Sequence, residues 1–138
     1  MNTASKVSIA LLLSINPFLA LALEATGTVF EDLDLDGQHD ASEPGIAGVR
    51  VSNGADIVVT DADGRYRITV GEETIVFITK PAGYATPVDQ NMLPQFYYIH
   101  QPAGSPAGLR YPGINPTGAL PSEINFALVR RPEHEQFE

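Results

Sequence analysis

Between Glu31 and Glu43 the chain reads EDLDLDGQHDASE, six carboxylates in thirteen residues. Counted from Asp32 as position 1, carboxylates fall at position 3 (Asp34), 5 (Asp36), 9 (Asp40) and 12 (Glu43), with Gly37 at 6 and Gln38 at 7. A twelve-residue calcium loop takes ligands from positions 1, 3, 5, 7, 9 and 12, and needs glycine at 6 for its sharp turn. Alternate residues send carboxylates to one side of a curling backbone. Gln38 offers a carbonyl oxygen, and Glu43 can close the cage with both of its oxygens. An all-oxygen, flexible shell suits calcium; the absence of cysteine and the presence of only three histidines argue against zinc. The competing reading is a solvated acidic turn without an ion.

Two features set this loop apart from a calcium sensor. Position 8 is His39 in place of an aliphatic residue. The flanks read as strands, Thr26–Phe30 before and Ile46–Ser52 after, so there is no pair of helices to open. The expected site is therefore rigid and structural. A second acidic turn, Asp61-Ala62-Asp63-Gly64, is too short for a cage. Its reading is hairpin geometry, with Asp61 or Asp63 capping the turn and Gly64 at positive φ.

Other chemistry is sparse. His39, His100 and His134 are far apart in sequence, with no helical metal-ligand spacing. There is no Gly-x-Ser-x-Gly elbow and no glycine-rich loop leading into a helix. On its own residues the chain reads as a non-enzyme, with no catalytic residues to name.

The elements that must hold the acidic loop are short strands between strong turn signals. Arg65–Val70 alternates, placing Tyr66, Ile68 and Val70 inward and Arg65, Arg67 and Thr69 outward. Asn53-Gly54 marks a hairpin before Ile57–Thr60. Thr74–Lys80 is apolar on both faces and reads as a central strand. Glu123–Val129 puts Ile124, Phe126 and Leu128 on one face. Many short strands without helices predict an all-β protein: a single seven-strand Greek-key β-sandwich. Eight of the eleven prolines fall between Lys80 and Ser122, a long Pro/Gly-rich loop segment with one edge strand at Gln95–His100. Its aromatics make Phe96, Tyr97, Tyr98 and His100 a candidate contact surface. The alternative is that the segment folds back over its own sandwich.

The first 22 residues read as a signal peptide helix. Lys6 precedes the apolar run Val7–Leu23, broken by Asn16-Pro17, and Ala20-Leu21-Ala22 has the small-x-small pattern of a cleavage site. A membrane anchor is the alternative, for which the run before Pro17 is short. Cleavage after Ala22 leaves seven basic and seventeen acidic residues, a net charge of −10. That balance suits neither nucleic acid nor anionic lipid. The expected organisation is residues 1–22 as leader, 23–129 as β-sandwich and 130–138 as a polar tail, in a periplasmic or secreted protein with no membrane contact after cleavage. With no cysteine for disulfides, a bound ion is the available staple for a small exported core.

The run GTVFEDLDLDGQHDASEPGIAGVRVSNGADIVVTDADGRYRITV resembles the calcium-stapled B-type repeats of bacterial surface adhesins and other transthyretin-like sandwiches. TIVFITKPAGYATPVDQNMLPQFYYIHQPAGSP and LRYPGINPTGALPSEINFALV narrow the resemblance to the N-terminal domain of exported bacterial calcineurin-like metallophosphoesterases. It covers Thr26–Val129, and FYYIHQPAGSP is its most specific part. The resemblance implies a transthyretin/Ig-like sandwich preceding a catalytic domain that binds two metal ions and hydrolyses phosphoesters. The motifs of that domain (Asp-x-His, Gly-Asp-x-x-Asp, Gly-Asn-His-Asp/Glu and His-x-His) do not occur in these 138 residues. The expectation is a non-catalytic accessory domain whose partner is a phosphoesterase domain absent from this sequence. A truncated gene product, a fragment and a free-standing surface or adhesion module are all compatible with the residues.

Overall fold

The computed structural model describes residues 23–108 and 113–131. The expected leader helix and most of the expected tail lie outside the described residues. Eight strands form: β1 Leu23–Glu31, β2 Arg50–Ser52, β3 Ile57–Val59, β4 Arg65–Val70, β5 Thr74–Thr79, β6 Tyr84–Ala85, β7 Tyr97–His100 and β8 Phe126–Arg130. They make two four-stranded sheets, ordered β4-β1-β8-β6 and β3-β2-β5-β7. The predicted β-sandwich is present, with eight strands in place of seven. The additional strand is β6, a two-residue edge whose pairing with Val129 and Arg130 has no local signature.

Alternation builds the core. Along β4 the burial pattern is strictly exposed-buried, with Tyr66, Ile68 and Val70 inside. Val51 on β2 pairs with Ile78 on β5, and both lie inside with Val76. Val29, Leu128 and Phe126 supply the facing layer. Val29, Val51, Val76 and Leu128 are each 0% exposed, contributing on the order of 1.5–3 kcal/mol apiece by burial. β5 is a central strand, as its two-sided apolar sequence predicts. β7 is the edge strand predicted inside the proline-rich segment, paired with β5 from Thr74↔His100 to Phe77↔Tyr97.

Two pairings position the acidic loop. β1 runs antiparallel to β4, then parallel to β8 from Val29↔Phe126 to Glu31↔Leu128. The last turn of β1 is thus clamped in mid-sheet where the loop begins. Ile46–Val49 stays outside β2, shorter than the predicted strand. Gly48 sits at φ 78°, and the Thr60 hydroxyl accepts from the Val49 N–H while donating to the Ile46 carbonyl. A side chain there takes over the work of a ladder.

Candidate metal centre

The loop leaves β1 at Asp32 and is closed at its base like a short piece of sheet. The Glu31 N–H donates to the Pro44 carbonyl at 2.9 Å, and the Ile46 N–H to the Val29 carbonyl at 2.8 Å. The Asp32 N–H donates to the Leu128 carbonyl at 2.9 Å. Gly45 rests directly on the second acidic turn, where a Cβ would fall 1.8 Å from the Asp63 carbonyl oxygen. Only glycine fits at that contact.

Inside the loop, backbone amides aim the carboxylates. Asp32, 4% exposed, accepts the Leu35 N–H on Oδ1 at 2.8 Å and the Gly37 N–H on Oδ2 at 2.9 Å. Leu35 (φ 63°) and Gly37 (φ 75°) take left-handed conformations that curl the chain around it. The Asp36 carboxylate accepts the Gln38 N–H at 2.8 Å. Glu43, 5% exposed, reaches back from position 12, accepting the Leu33 N–H on Oε1 at 2.9 Å and the Asp40 N–H on Oε2 at 3.0 Å. His39 explains its unusual presence at position 8. Its ring lies against Phe30, with centroids 4.7 Å apart, and Nε2 is 3.2 Å from the Glu43 carbonyl.

The result is convergence. Oxygen atoms of Asp32, Asp34, Asp36 and Glu43 all lie within 4.8 Å of one another. Of the six residues predicted from spacing, these four come together as a group that could hold a metal ion. Gln38 and Asp40 are exposed, and the Asp40 carboxylate is not part of the group. Asp40 acts through its backbone: its amide holds Glu43, and its carbonyl accepts the Glu43 N–H at 3.0 Å.

Residues 33–111 match the family described as N terminal of Calcineurin-like phosphoesterase. The chain belongs to this family. It is also similar to the Serine-aspartate repeat-containing protein C of Staphylococcus aureus strain N315, at 35% identity over 109 residues, which is 72% of this chain and 10% of that protein. The protein of the same name from strain Newman is 34% identical over the same share of each chain. The chain spans about a tenth of the length of these curated relatives.

In this calcineurin-like phosphoesterase N-terminal domain, the carboxylates of the loop perturb one another. Without an ion, the Asp34 carboxyl is pushed up to about 6. Desolvation by the folded loop is the first cause; contacts with the Asp32 and Asp36 carboxyls and the Asp36 charge add to it. Glu43 is held below its ordinary value, chiefly by the Asp40 N–H, against the effect of its own burial. One carboxyl thus resists ionising in the set while its neighbour is fixed as an anion, the imbalance a divalent cation relieves.

Asp61 and Asp63 make hairpin geometry, as predicted. Asp61 Oδ1 accepts the Asp63 and Arg65 N–H groups, each at 2.9 Å, and Gly64 sits at φ 77°. The predicted contact surface divides. Tyr97 is exposed on the outer face of β7, whereas Phe96 and Tyr98 are half-buried and pack on the core. His100 must be corrected: it is 1% exposed, inside the domain, and neither ring nitrogen has a hydrogen-bond partner among the described residues. Alternation decides this, because Tyr98 and His100 share the inward face of β7.

Sequence reasoning missed two further contacts. Arg130 forks onto Glu31, with Nε to Oε1 at 3.0 Å and Nη2 to Oε2 at 3.3 Å, and lies over the Tyr84 ring. It closes the end of β8 beside the loop, at a residue expected to start a polar tail. The Tyr66 hydroxyl donates to the Ile124 carbonyl at 2.6 Å in the interior. Both join residues more than forty apart, so no local motif announces them.

Proposed function

We propose that this chain is an exported, calcium-stapled β-sandwich that serves as the non-catalytic accessory domain of a calcineurin-like phosphoesterase. The family match over residues 33–111 carries the reading. The four converging carboxylates support calcium as the staple, since oxygen donors on a flexible loop suit that ion. Asp32, Asp34, Asp36 and Glu43 supply the side-chain ligands, with Gln38 and Asp40 completing the shell. What the ion does here is mechanical: it ties Asp32 at the end of β1 to Glu43 just before Gly45, which pairs with Phe30. Export is supported by Lys6, the apolar run to Leu23 and Ala20-Leu21-Ala22.

The partner in this reading is the phosphoesterase domain itself, which carries the hydrolytic metals. Because β8 runs parallel to β1, a domain following Arg131 starts at the loop end of the sandwich. There a cleft of about 450 Å³ opens between the acidic loop and the proline-rich segment, with Asp36, Val88, Tyr98 and Val129 in its walls.

A second reading, a stand-alone surface or adhesion module, is favoured by the similarity to the staphylococcal serine-aspartate repeat-containing protein over 72% of the chain. The DNA immediately downstream separates the two. A metallophosphoesterase in frame, or one frameshift away, is the expected finding; none within reach would favour the second reading. In parallel, the purified chain with Mn²⁺ and a generic phosphodiester should show no turnover above background, and clear turnover would overturn the non-catalytic assignment.

A further inference from the structure

The outer face of the β3-β2-β5-β7 sheet is apolar where one-sided sheets are ordinarily polar. Its registers align side chains in rows: Val59, Arg50 and Thr79; then Ile57, Ser52, Phe77 and Tyr97; then Ile75 and Ile99. Val51, Val76 and Ile78 point the other way, into the core. On this one face Ile57 is 66% exposed, Val59 57%, Ile75 49% and Tyr97 38%. A groove of about 630 Å³ runs beside Ile75, Phe77, Phe96 and Tyr97 and ends at Glu73. A contiguous apolar patch of this kind on a strongly acidic domain marks an interaction surface.

Its charges are ordered along the strands. Arg50 lies on the face at one end, next to Thr79 and the exposed Lys80. At the other end stand Glu72 and Glu73 on the β4–β5 turn and Asp56 on the β2–β3 turn. Along β2 and β5 the patch is therefore apolar in the middle, positive at one end and negative at the other, while β3 is flanked by Asp56 at one end and Asp61 at the other.

We propose that this face binds a second copy of the chain, sheet on sheet, about a two-fold axis lying across the strands. That axis reverses strand direction between copies while keeping strand order. Apolar rows then meet apolar rows, and each copy's Arg50 end lies over the other's Glu73 end. Arg50 is then offset sideways from the partner's Glu73 by about one strand spacing, ~4.8 Å, and the two side chains extend toward each other across the ~10 Å between stacked sheets. Such an isologous arrangement makes the Arg50–Glu73 pairing twice, against one approach of Asp61 to the partner's Asp56 at each β3 edge. A two-fold axis along the strands would set Arg50 beside Arg50, like charge on like. The inference is independent of the accessory-domain reading.

Four short strands make a small patch, at the low end of specific interfaces, so the expected dimer dissociates in the micromolar range, roughly 10⁻⁶–10⁻⁴ M. The test is analytical ultracentrifugation of the calcium-loaded exported chain from about 5 to 500 μM, with melting curves to verify folding. Wild type should show a reversible monomer–dimer equilibrium. Ile75→Lys and Arg50→Glu should each weaken it about tenfold or more. The double exchange Arg50→Glu with Glu73→Arg should restore it to within about threefold of wild type. A monomer throughout, a dimer indifferent to Ile75→Lys, or a double exchange no tighter than Arg50→Glu alone would overturn the proposal.

Discussion

Calcium binding should weaken as the pH falls through 6, and Asp34 should account for most of the change. The perturbation is a step from pH 7.5 to pH 5.0. In the ion-free loop the Asp34 carboxyl sits at about 6, and only its ionised form is a ligand, so proton and calcium compete. At pH 7.5 nearly every molecule presents the carboxylate. At pH 5.0 roughly one in eleven does, which lowers the apparent affinity about tenfold. Glu43 is held below its ordinary value and stays ionised over this range, adding nothing. The effect on the fold has the opposite sign in the ion-free protein. A raised carboxyl binds its proton more tightly folded than unfolded, so ion-free stability from this group rises as pH falls from about 7 toward 4. The calcium-dependent increment in stability therefore shrinks, because the ion must displace the proton that stabilises the ion-free fold. Titration calorimetry in two buffers of different ionisation heat reads both the affinity and the protons released, which should approach one per ion near pH 5 and be close to none at pH 7.5. Asp34→Asn should bind more weakly and lose the pH dependence. Equal affinity at the two pH values, or an undiminished pH dependence in Asp34→Asn, would refute the reasoning.

Three further outcomes follow from the packing. Tyr66→Phe leaves the buried Ile124 carbonyl without its 2.6 Å donor and should cost about 1–2 kcal/mol in urea denaturation, with the calcium response intact. Gly64→Ala forces a Cβ to 2.4 Å from the Val29 carbonyl oxygen at φ 77° and should cost more than about 2 kcal/mol; a near-neutral result would mean that the Gly45–Gly64 contact is looser than described. His100→Leu removes a fully buried ring whose two nitrogens have no partner among the described residues, and should raise stability by about 1 kcal/mol. A loss of that size would reveal a partner for the imidazole.

The parts legible in the sequence were those whose cause is local. The period of two in Arg65–Val70 dictated a half-buried strand, because Tyr66, Ile68 and Val70 can reach one side only together. Gly64 after Asp61 announced a turn that the carboxylate caps. The spacing from Asp32 to Glu43 located a group of carboxylates whose convergence is made by amides of the same loop. What was not legible depends on residues remote in sequence. Tyr84–Ala85 is a strand only because β8 lies beside it. Ile46–Val49 alternates like a strand, but Thr60 and Gly48 divert its hydrogen bonds. His100 looks like a surface residue in a proline-rich loop until its pairing with Thr74 fixes which way it points. The hold of the Asp40 amide on Glu43 is a backbone contact that residue types alone do not announce.

The central claim is that calcium holds this domain together through the Asp32–Glu43 loop, and thermal melting with and without the ion tests it most directly. With a dissociation constant of ~10⁻⁴–10⁻³ M, about 10 mM calcium should stabilise the fold by roughly 1.4–2.7 kcal/mol. For a domain of this size that is a rise in Tm on the order of 5–15 °C over the same protein in EDTA. Asp36→Ala should melt at one temperature in both conditions. Wild-type curves that coincide in calcium and in EDTA, or a calcium response that survives Asp36→Ala, would contradict the account.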